Sequence, residues 1–459
     1  MAIRQVALLL VVATVTVAKA AGEREKNDAC INSSEREQAR QEVKAQTERR
    51  MTVDELFQLV ESNSKTLLET KISVEFAQKG IEAARSQRLP DVNATLSASY
   101  NGNVVVMDRD FTNAQGYSSP HFGNSFALEA QQVVYAGGAI DAGIRMAELQ
   151  RDLAVAGQRQ SSNAQRFMAL GQYLDLYKIQ NRMLVMEQNI KLTQRLIDDI
   201  RSKHEQGMAL RNDVTRYELQ MENLRLSLRK LQDQQAIQNH QLCNTLGLTD
   251  TVILPDTAIV NSLLSVESLE ATQQTALASS PQIEMSQISA QMAEQQLRLA
   301  KSEQLPKVAL VAADNFSGPF TYDIPPIDKN INYWYVGVGV KYPISSLFKQ
   351  NKKVQQAKVG VERSQEHQRV TAEAIDNQMQ QAYTLYQQSY ADLDTQCKSV
   401  ELARQNYEVV SERYLNQLAL ITDMLDASNI RLNAELQEVD ARINIVYAYY
   451  KMKYICGTL

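Results

Sequence analysis

Apolar residues recur at every third or fourth position over two stretches of the chain, Val53 to Arg88 and Glu267 to Gln304. This spacing places them along one face of an α-helix. Each stretch is followed directly by a leucine and a proline, Pro90 after the first and Pro306 after the second. Proline lacks the amide hydrogen that a helix uses, so it cannot continue the helix. We therefore predict one helix in each stretch, ending just before the proline.

The pattern changes directly after each proline, where apolar residues begin to alternate with polar ones. Alternation of this kind predicts a β-strand with one apolar face. A second alternating run follows in each half, and the predicted strands are residues 92–100, 126–135, 307–313 and 333–342. Their length and the aromatic residues near their ends are typical of a transmembrane β-barrel. The pattern alone leaves open a soluble four-stranded sheet packed on helices.

Long stretches without helix-breaking residues follow the strands. No proline occurs after Pro343, and no glycine lies between Gly360 and Gly457. We predict a long helix and a returning helix in each half, at residues 144–204 and 212–246 and then at 350–417 and 421–455. The longest of these would extend about 100 Å at about 1.5 Å per residue. Helices this long with narrow apolar stripes are expected to lie side by side as coiled-coil-like hairpins.

The two halves are copies of one unit. Residues 62–90 align with residues 278–306 without a gap, at an offset of 216, with eight identities in 29 positions. Both segments end in Leu-Pro, which shared helical periodicity does not explain. Duplication divides the chain into a first repeat at 52–250, a linker at 251–265 and a second repeat at 266–459.

The segment before the first repeat has the order of a secretory signal peptide. Arg4, an apolar run and then Ala18-Lys19-Ala20 place this peptide at residues 1–20. Residues 21–50 are highly charged and form a predicted N-terminal extension. A secreted chain can carry disulfides, and the sequence leaves open a bond between Cys243 and Cys456, which end the two halves in similar contexts.

Composition and charge exclude several classes of function. A net charge of −5 argues against nucleic-acid binding through phosphate groups. The four histidines have no metal-ligand spacing, and the paired glycines Gly137 and Gly138 begin no phosphate-binding loop. We therefore predict no enzyme, no cofactor and no metal site. At the paired glycines we predict a bend from strand into helix.

Taken in order, the elements of each repeat resemble the TolC-like outer membrane efflux protein family. The shared features are a signal peptide, a helix ending in Leu-Pro, two strands joined by a loop, a paired-glycine bend, and a long helix that turns into a returning helix. The two turns are the most specific features, at Gly207 to Val214 and at Tyr414 to Ala427. There are two departures: Gln417 replaces a glycine usual in the family, and Ser345-Ser346 replaces the second paired-glycine bend.

The resemblance implies a mainly helical protein with a transmembrane β part. A homotrimer would pool four strands per subunit in a 12-stranded barrel in the outer membrane, and its long helices would form a tunnel through the periplasm. Such a protein is the passive exit duct of a tripartite efflux pump or type I secretion system. Its implied partners are a periplasmic adaptor, an inner-membrane transporter and outer-membrane lipid. The alternative is a secreted periplasmic coiled-coil scaffold or adaptor without a membrane barrel. Nothing in these residues separates drug, metal-ion, dye or polypeptide cargo.

In this family a ring of aspartates at the periplasmic tip forms the gate, and Asp423 and Asp426 match those positions. Two aspartates three residues apart lie on one face of a helix, so a trimer would carry two stacked rings. Crowded carboxylates attract cations, which suits a cation-selective constriction. The alternative for Asp423 is a charge at a helix N-terminus, favoured by the helix dipole. By the same resemblance, further contacts at the tip turns are expected from Arg211, Asn212, Asp213 and Gln417.

Overall fold

A computed structural model describes the chain over residues 47–249, 251–256, 266–320, 327–416 and 418–459. The signal peptide predicted at 1–20, the extension up to residue 46, residues 257–265 of the linker and Gln417 lie outside the described residues. The contacts divide the chain into two compact units. Of the described residues, one unit contains 47–56 and those between 172 and 256, and the other contains 57–171 and those from 266 onwards.

The elements of the first half follow the predicted order of helix, strands, long helix and returning helix. They are β1 (Thr47–Met51), α1 (Val53–Asn63), α2 (Lys65–Ser86), β2 (Asp91–Tyr100), β3 (Val104–Val106), β4 (Gln115–Tyr117), β5 (Phe122–Tyr135), α3 (Ala139–Glu205) and α4 (Arg211–Leu246). The second half repeats this order. Its elements are β6 (Thr251–Pro255), α5 (Leu269–Ser279), α6 (Pro281–Ser302), β7 (Lys307–Gly318), β8 (Ile331–Lys341), α7 (Ser346–Leu415) and α8 (Ile421–Cys456).

The single helix predicted before each proline is wrong, because both stretches are broken into two helices. The first break is at Ser64, whose backbone is extended and whose side chain accepts a hydrogen bond from the Leu67 amide. A serine that caps the next helix in this way competes with continuation of the previous one. The second break is at Ser280, the position equivalent to Ser64, and there Pro281 begins the next helix.

A pair of short parallel strands belongs to the first unit. β1 pairs with β6 from Thr47 opposite Thr251 to Met51 opposite Pro255, in segments that the sequence assigns largely to the extension and the linker. The buried Tyr173 of α3 holds this pair in place. Its hydroxyl donates a hydrogen bond to the Met51 carbonyl at 2.8 Å and accepts one from the Asp256 amide at 2.7 Å.

The four long strands form one antiparallel sheet in the order β2-β5-β7-β8. The centre of the sheet is therefore a pairing between the two repeats, β5 with β7. The short hairpin of β3 and β4 lies in the loop between β2 and β5. Within the described residues the sheet is open, with β2 and β8 at its edges. The predicted mainly helical fold with a duplicated repeat is confirmed, and its β part is this sheet.

In the second unit, α7 and α8 form a helical hairpin with separate apolar clusters along its length. Buried apolar side chains of both helices meet residues of α5 and α6; the cluster includes Ala276, Ile283, Ile375, Met379, Tyr386, Ile445, Met452 and Ile455. Farther along the hairpin the buried Glu435 accepts hydrogen bonds from Arg404 Nε at 3.2 Å and Arg431 Nε at 3.1 Å. The Arg431 guanidinium also lies 4.7 Å from the centre of the Tyr407 ring. Apolar packing and a buried ion cluster thus join the same two helices.

Cys243 and Cys456 are both thiols. The Cys243 thiol donates a hydrogen bond to the Thr251 carbonyl at 3.1 Å, and the Cys456 thiol donates one to the Thr272 carbonyl at 3.8 Å. The helix ends show that the two cysteines do not occupy equivalent positions. α4 ends at Leu246 and α8 ends at Cys456 itself, each followed by a left-handed glycine.

Candidate functional site: an amphipathic sheet and two helical turns

The register of the four strands collects apolar side chains on one face of the sheet. Successive residues of a strand point to opposite faces, so residues in register share a face. Leu96 is 81% exposed, Trp334 is 75% exposed and Val336 is 72% exposed. The apolar residues of this face include Val92, Ala94, Leu96, Tyr100, Phe126, Leu128, Ala130, Val308, Leu310, Ala312, Phe316, Trp334, Val336, Val338 and Val340. The same register also places the polar Asn124, Gln132, Asp314 and Asn332 on this face.

The opposite face of the sheet is mostly polar or small. It carries Asn93, Thr95, Ser97, Ser99, Ser125, Glu129, Gln131, Asn315, Ser317, Gly337, Gly339 and Lys341. The strands are 10, 14, 12 and 11 residues long. A tilted strand needs about 9–11 residues to cross a bilayer. The sheet therefore has the length, the apolar surface and the polar surface of a membrane-spanning wall with water on one side.

The sheet passes into the long helix α3 through Gly137 and Gly138, where the predicted bend is confirmed. Both have positive φ, 64° and 83°. A Cβ atom on Gly137 would lie 2.8 Å from Leu305 Cβ and 2.9 Å from the Ser302 carbonyl oxygen. Only glycine suits this position, because it combines a left-handed backbone with a close approach. The bend places the beginning of α3 beside the end of α6.

The first helical turn joins α3 to α4. Gly207 has a φ of 76°, and His204 Nδ1 lies 2.9 Å from the Ala209 carbonyl oxygen. At the start of α4 the Asp213 carboxylate accepts a hydrogen bond from the Leu210 amide at 3.3 Å. Arg211 and Asn212 are the residues that the resemblance predicts as tip contacts. Both side chains are exposed, and neither forms a hydrogen bond or an ion pair within the described chain.

The second helical turn joins α7 to α8, and α8 begins with the same cap as α4. The Asp423 carboxylate accepts a hydrogen bond from the Leu420 amide at 3.1 Å, and the Asp423 amide donates to the Leu420 carbonyl at 3.1 Å. Asp423 therefore caps its helix, as the alternative to a gate role expects. Asp426, one turn farther along, is exposed and has no hydrogen bond or ion pair to any described residue.

One charged residue at these turns is missed by the sequence reasoning. Asp213 and Asp423 hold the same capping position, so the two returning helices align at an offset of 210. The residue that corresponds to Asp426 is then Arg216, which is exposed. The two repeats therefore present opposite charges at matching positions. Aligning the two turns with each other would have found Arg216.

The described residues offer little other chemistry. No group of three histidine, cysteine, aspartate or glutamate residues among them could hold a metal ion. No helix in the described part of the chain is long and apolar enough to cross a membrane.

Comparison with known proteins shows that the chain matches one family model and shares its fold with several solved structures. A family model described as outer membrane efflux protein matches residues 56–248 and 272–458, which lie in the two repeats. No curated protein matches the chain in sequence.

Several solved structures share the fold. The outer membrane protein VceC of Vibrio cholerae has a TM-score of 0.71 at 16% identity, covering 88% of this chain and 96% of its own. The outer membrane channel CmeC of Campylobacter jejuni has a TM-score of 0.70 at 13% identity, covering 88% and 85%. The open outer membrane channel MtrE of Neisseria gonorrhoeae has a TM-score of 0.69 at 13% identity, covering 88% of both chains.

Proposed function

The chain belongs to the outer membrane efflux protein family and is an outer-membrane exit duct that extends into the periplasm, and we propose that three copies complete one 12-stranded barrel. The observation that carries the proposal is the open four-stranded sheet with an exposed apolar face. A single-chain barrel needs about eight strands, so four cannot close alone. Pairing β8 of one copy with β2 of the next would satisfy both edges. Members of this family are channels rather than enzymes.

The helical part extends the duct into the periplasm. In the proposed trimer, α3, α4, α7 and α8 of each copy line a tunnel that continues the barrel, and substrates pass from the tip to the exterior. An inner-membrane transporter, joined to the tip through a periplasmic adaptor, would drive transport.

Asp426 is the proposed gate residue. Its carboxylate has no partner among the described residues, whereas the Asp423 carboxylate is held by the Leu420 amide. Three Asp426 side chains around a trimer axis would repel one another and attract cations. Asp423 would add a second ring whose position is fixed by its capping bond. Arg211, Asn212, Asp213 and Gln417 remain proposed contacts at the tip turns.

The native mass of the protein extracted from outer membranes tests the trimer. Three subunits of 51.6 kDa, less their signal peptides, give about 150 kDa after the detergent is subtracted. We expect that mass and a requirement for detergent. A protein released without detergent as a monomer would overturn the duct and favour the periplasmic scaffold.

Single-channel recording in a planar bilayer tests the gate. Asp426→Asn is expected to lower the preference for cations over anions and to weaken block by divalent cations, since it removes a ring of charge without changing its size. The control is Asp233→Asn, which neutralises an exposed aspartate of α4 far from the turn between α3 and α4. Unchanged selectivity in Asp426→Asn together with Asp423→Asn would remove both residues from the gate.

A further inference from the structure

Helix α6 is buried on two opposite faces. On one face Ile283 belongs to the core that includes Ile375 and Met379 of α7. On the other face Ile288 packs with Leu149 and Ala156 of α3, and Met285, Met292 and Leu153 border this contact. An ion pair between Glu284 and Arg159 joins the same two helices. The α6 helix thus lies between two long helices, α3 and α7, and packs against both.

Helix α2 is the equivalent helix of the first repeat, and only one of its faces is covered. Leu67 and Ile81 are buried, and Arg85 and Arg88 form ion pairs with Glu148 and Asp141 of α3. The residues equivalent to Glu284, Ile288 and Met292 are instead exposed: Leu68 is 58% exposed, Ile72 is 58% exposed and Phe76 is 80% exposed. We call Leu68, Ile72 and Phe76 the α2 stripe.

The α2 stripe faces away from α3. Ile72 and Ile81 are nine residues apart, which at 100° per residue is half a turn around the helix. The surface along the stripe is lined only by residues of α2 and is open, so it leaves room for side chains of a partner helix. The covered face of α2 therefore corresponds to the contact of α6 with α7, and its bare face corresponds to the contact of α6 with α3.

Helix α7 carries a second bare stripe of the same kind. Phe348, Val359 and Val370 are 79%, 62% and 58% exposed. They follow one another at intervals of eleven residues, close to three helical turns, so they form a line along the helix. Val370 lies nine residues from the buried Met379, so this line faces away from α6. We call these three residues the α7 stripe.

We propose that the α2 stripe of one copy packs on the α7 stripe of the next copy, repeating between copies the contact that α6 makes with α3 within one chain. This inference rests on the proposed trimer and names the helix faces that join its subunits. Within the chain, α7 is the repeat equivalent of α3, so it is the helix that α2 lacks. Each chain carries one stripe of each type, so association is head to tail, and with a rotation of about 120° between copies it closes into a ring of three.

The contact within the chain also sets the direction of the helices between copies. The beginning of α3 lies beside the end of α6 at Gly137 and Ser302, and Arg159 lies beside Glu284 near the beginning of α6. These two helices are therefore antiparallel. The same arrangement between copies places Phe76 near Val359 and Leu68 near Val370.

The two contacts differ in chemistry. Leu68 occupies the position of Glu284, so the ion pair with Arg159 has an apolar counterpart between copies. Association of the copies along these stripes is accordingly expected to depend on apolar burial and to be little affected by salt.

Ile72→Lys tests the stripe, with Gln78→Lys as the matched control. Both substitutions add one lysine to an exposed position of α2, but Gln78 lies about 120° from Ile72 around the helix. Burying an unpaired charge opposes association, so we expect the trimer fraction in detergent to fall at least about tenfold for Ile72→Lys only. A full trimer yield in Ile72→Lys would overturn the stripe and leave the trimer intact. An unmodified protein that is monomeric would overturn the proposed function itself.

Thiol cross-linking tests the register independently of any loss of assembly. Phe76→Cys and Val359→Cys are placed on two co-expressed chains with different tags, and a short thiol cross-linker is added. We expect a product that carries both tags, because packed helices lie 8–10 Å apart. The pair Gln78→Cys with Val359→Cys, and chains without added cysteines, give the background. A two-tag product no greater than this background would overturn the proposed contact.

Discussion

The returning helices of the two repeats, α4 and α8, have the same length and the same ends but different interiors. Both contain 36 residues, begin after a leucine with extended backbone and end at a glycine with positive φ. At the offset of 210, the buried Val214 and Leu224 of α4 correspond to the buried Met424 and Ala434 of α8. Burial next to the turn is therefore shared by both repeats. Farther along, the buried Ala441, Ile443 and Val446 of α8 correspond to the half-buried Leu231 and the exposed Asp233 and Ala236 of α4.

The side chains that fill this pattern differ. Met221 is 3% exposed in α4, and the corresponding residue of α8 is Arg431, which pairs with the buried Glu435 and stacks on Tyr407. Glu435 in turn corresponds to Arg225, an exposed residue of α4. One hairpin thus uses apolar packing where the other uses a partly buried ion cluster. Equal backbone geometry permits either solution, provided that every buried charge is paired.

Substitutions at the junction between strand and long helix should give the largest difference in stability between the two repeats. Gly137→Ala is expected to destabilise the protein by about 3 kcal/mol or more, because a Cβ there adds left-handed strain to a clash with backbone. Ser345→Ala, at the corresponding junction, should cost less than about 0.5 kcal/mol because Ser345 already has right-handed helical backbone. Thermal unfolding in detergent compares the two variants, and equal shifts in Tm would contradict the assignment.

The ion cluster of the second hairpin should be the next most sensitive feature. Glu435→Ala leaves Arg431 without its carboxylate and is expected to cost about 2 kcal/mol. Glu222→Ala removes an exposed ion pair of the first hairpin and should cost less than about 0.5 kcal/mol. The measurement is the shift in unfolding midpoint with denaturant; similar shifts would mean that the cluster adds nothing to the hairpin.

The two helix caps should respond alike. Asp213→Ala and Asp423→Ala each remove a carboxylate that accepts from the amide before the helix, and each is expected to cost about 1 kcal/mol. Asp426→Ala removes no hydrogen bond or ion pair to a described residue, so the free energy of unfolding should change little. If Asp423→Ala proved as mild as Asp426→Ala, the capping role of Asp423 would be wrong.

At pH 7 the smallest effect is expected at the ends of the returning helices, because this effect appears only at high pH. Burial raises the pKa of the Cys456 thiol to about 11, from an ordinary value near 9. The folded state thus holds this proton more tightly than the unfolded state, so stability should be unaffected at pH 7 and fall as pH rises from about 9 to 11. Cys456→Leu, which places the residue of the first repeat at this position, should make that fall smaller. Parallel Tm profiles between pH 7 and 11 for both proteins would contradict the prediction.

Local pattern was enough to predict most of the elements. Alternation with a period of two and recurrence with a period near 3.6 are properties of short segments, and they predicted the strands and the long helices close to their actual bounds. The paired glycines predicted the bend because no other residue type suits positive φ at so close a contact. The breaks at Ser64 and Ser280 were missed because a serine can either continue a helix or cap the next one.

The candidate site was only partly accessible to the same reasoning. Resemblance pointed to Asp423 and Asp426 together, but their different situations depend on which carboxylate reaches the Leu420 amide. Arg216 became visible only when the caps aligned the two turns. The charge of a residue at a turn follows from the sequence, whereas the hydrogen bonds of its side chain depend on the path of the backbone.

By itself the sequence determined the duplication and the class of the long elements, because these follow from local periodicity and from segments that repeat. The family was indicated by the resemblance of the element order and of the two turns. Only the tertiary structure decided that β5 pairs with β7, that the apolar residues of four strands share one face, and that α2 and α7 each keep one bare stripe. The reason is physical. The spacing of apolar residues is a property of one segment, but whether a side chain is buried depends on segments that can be hundreds of residues away.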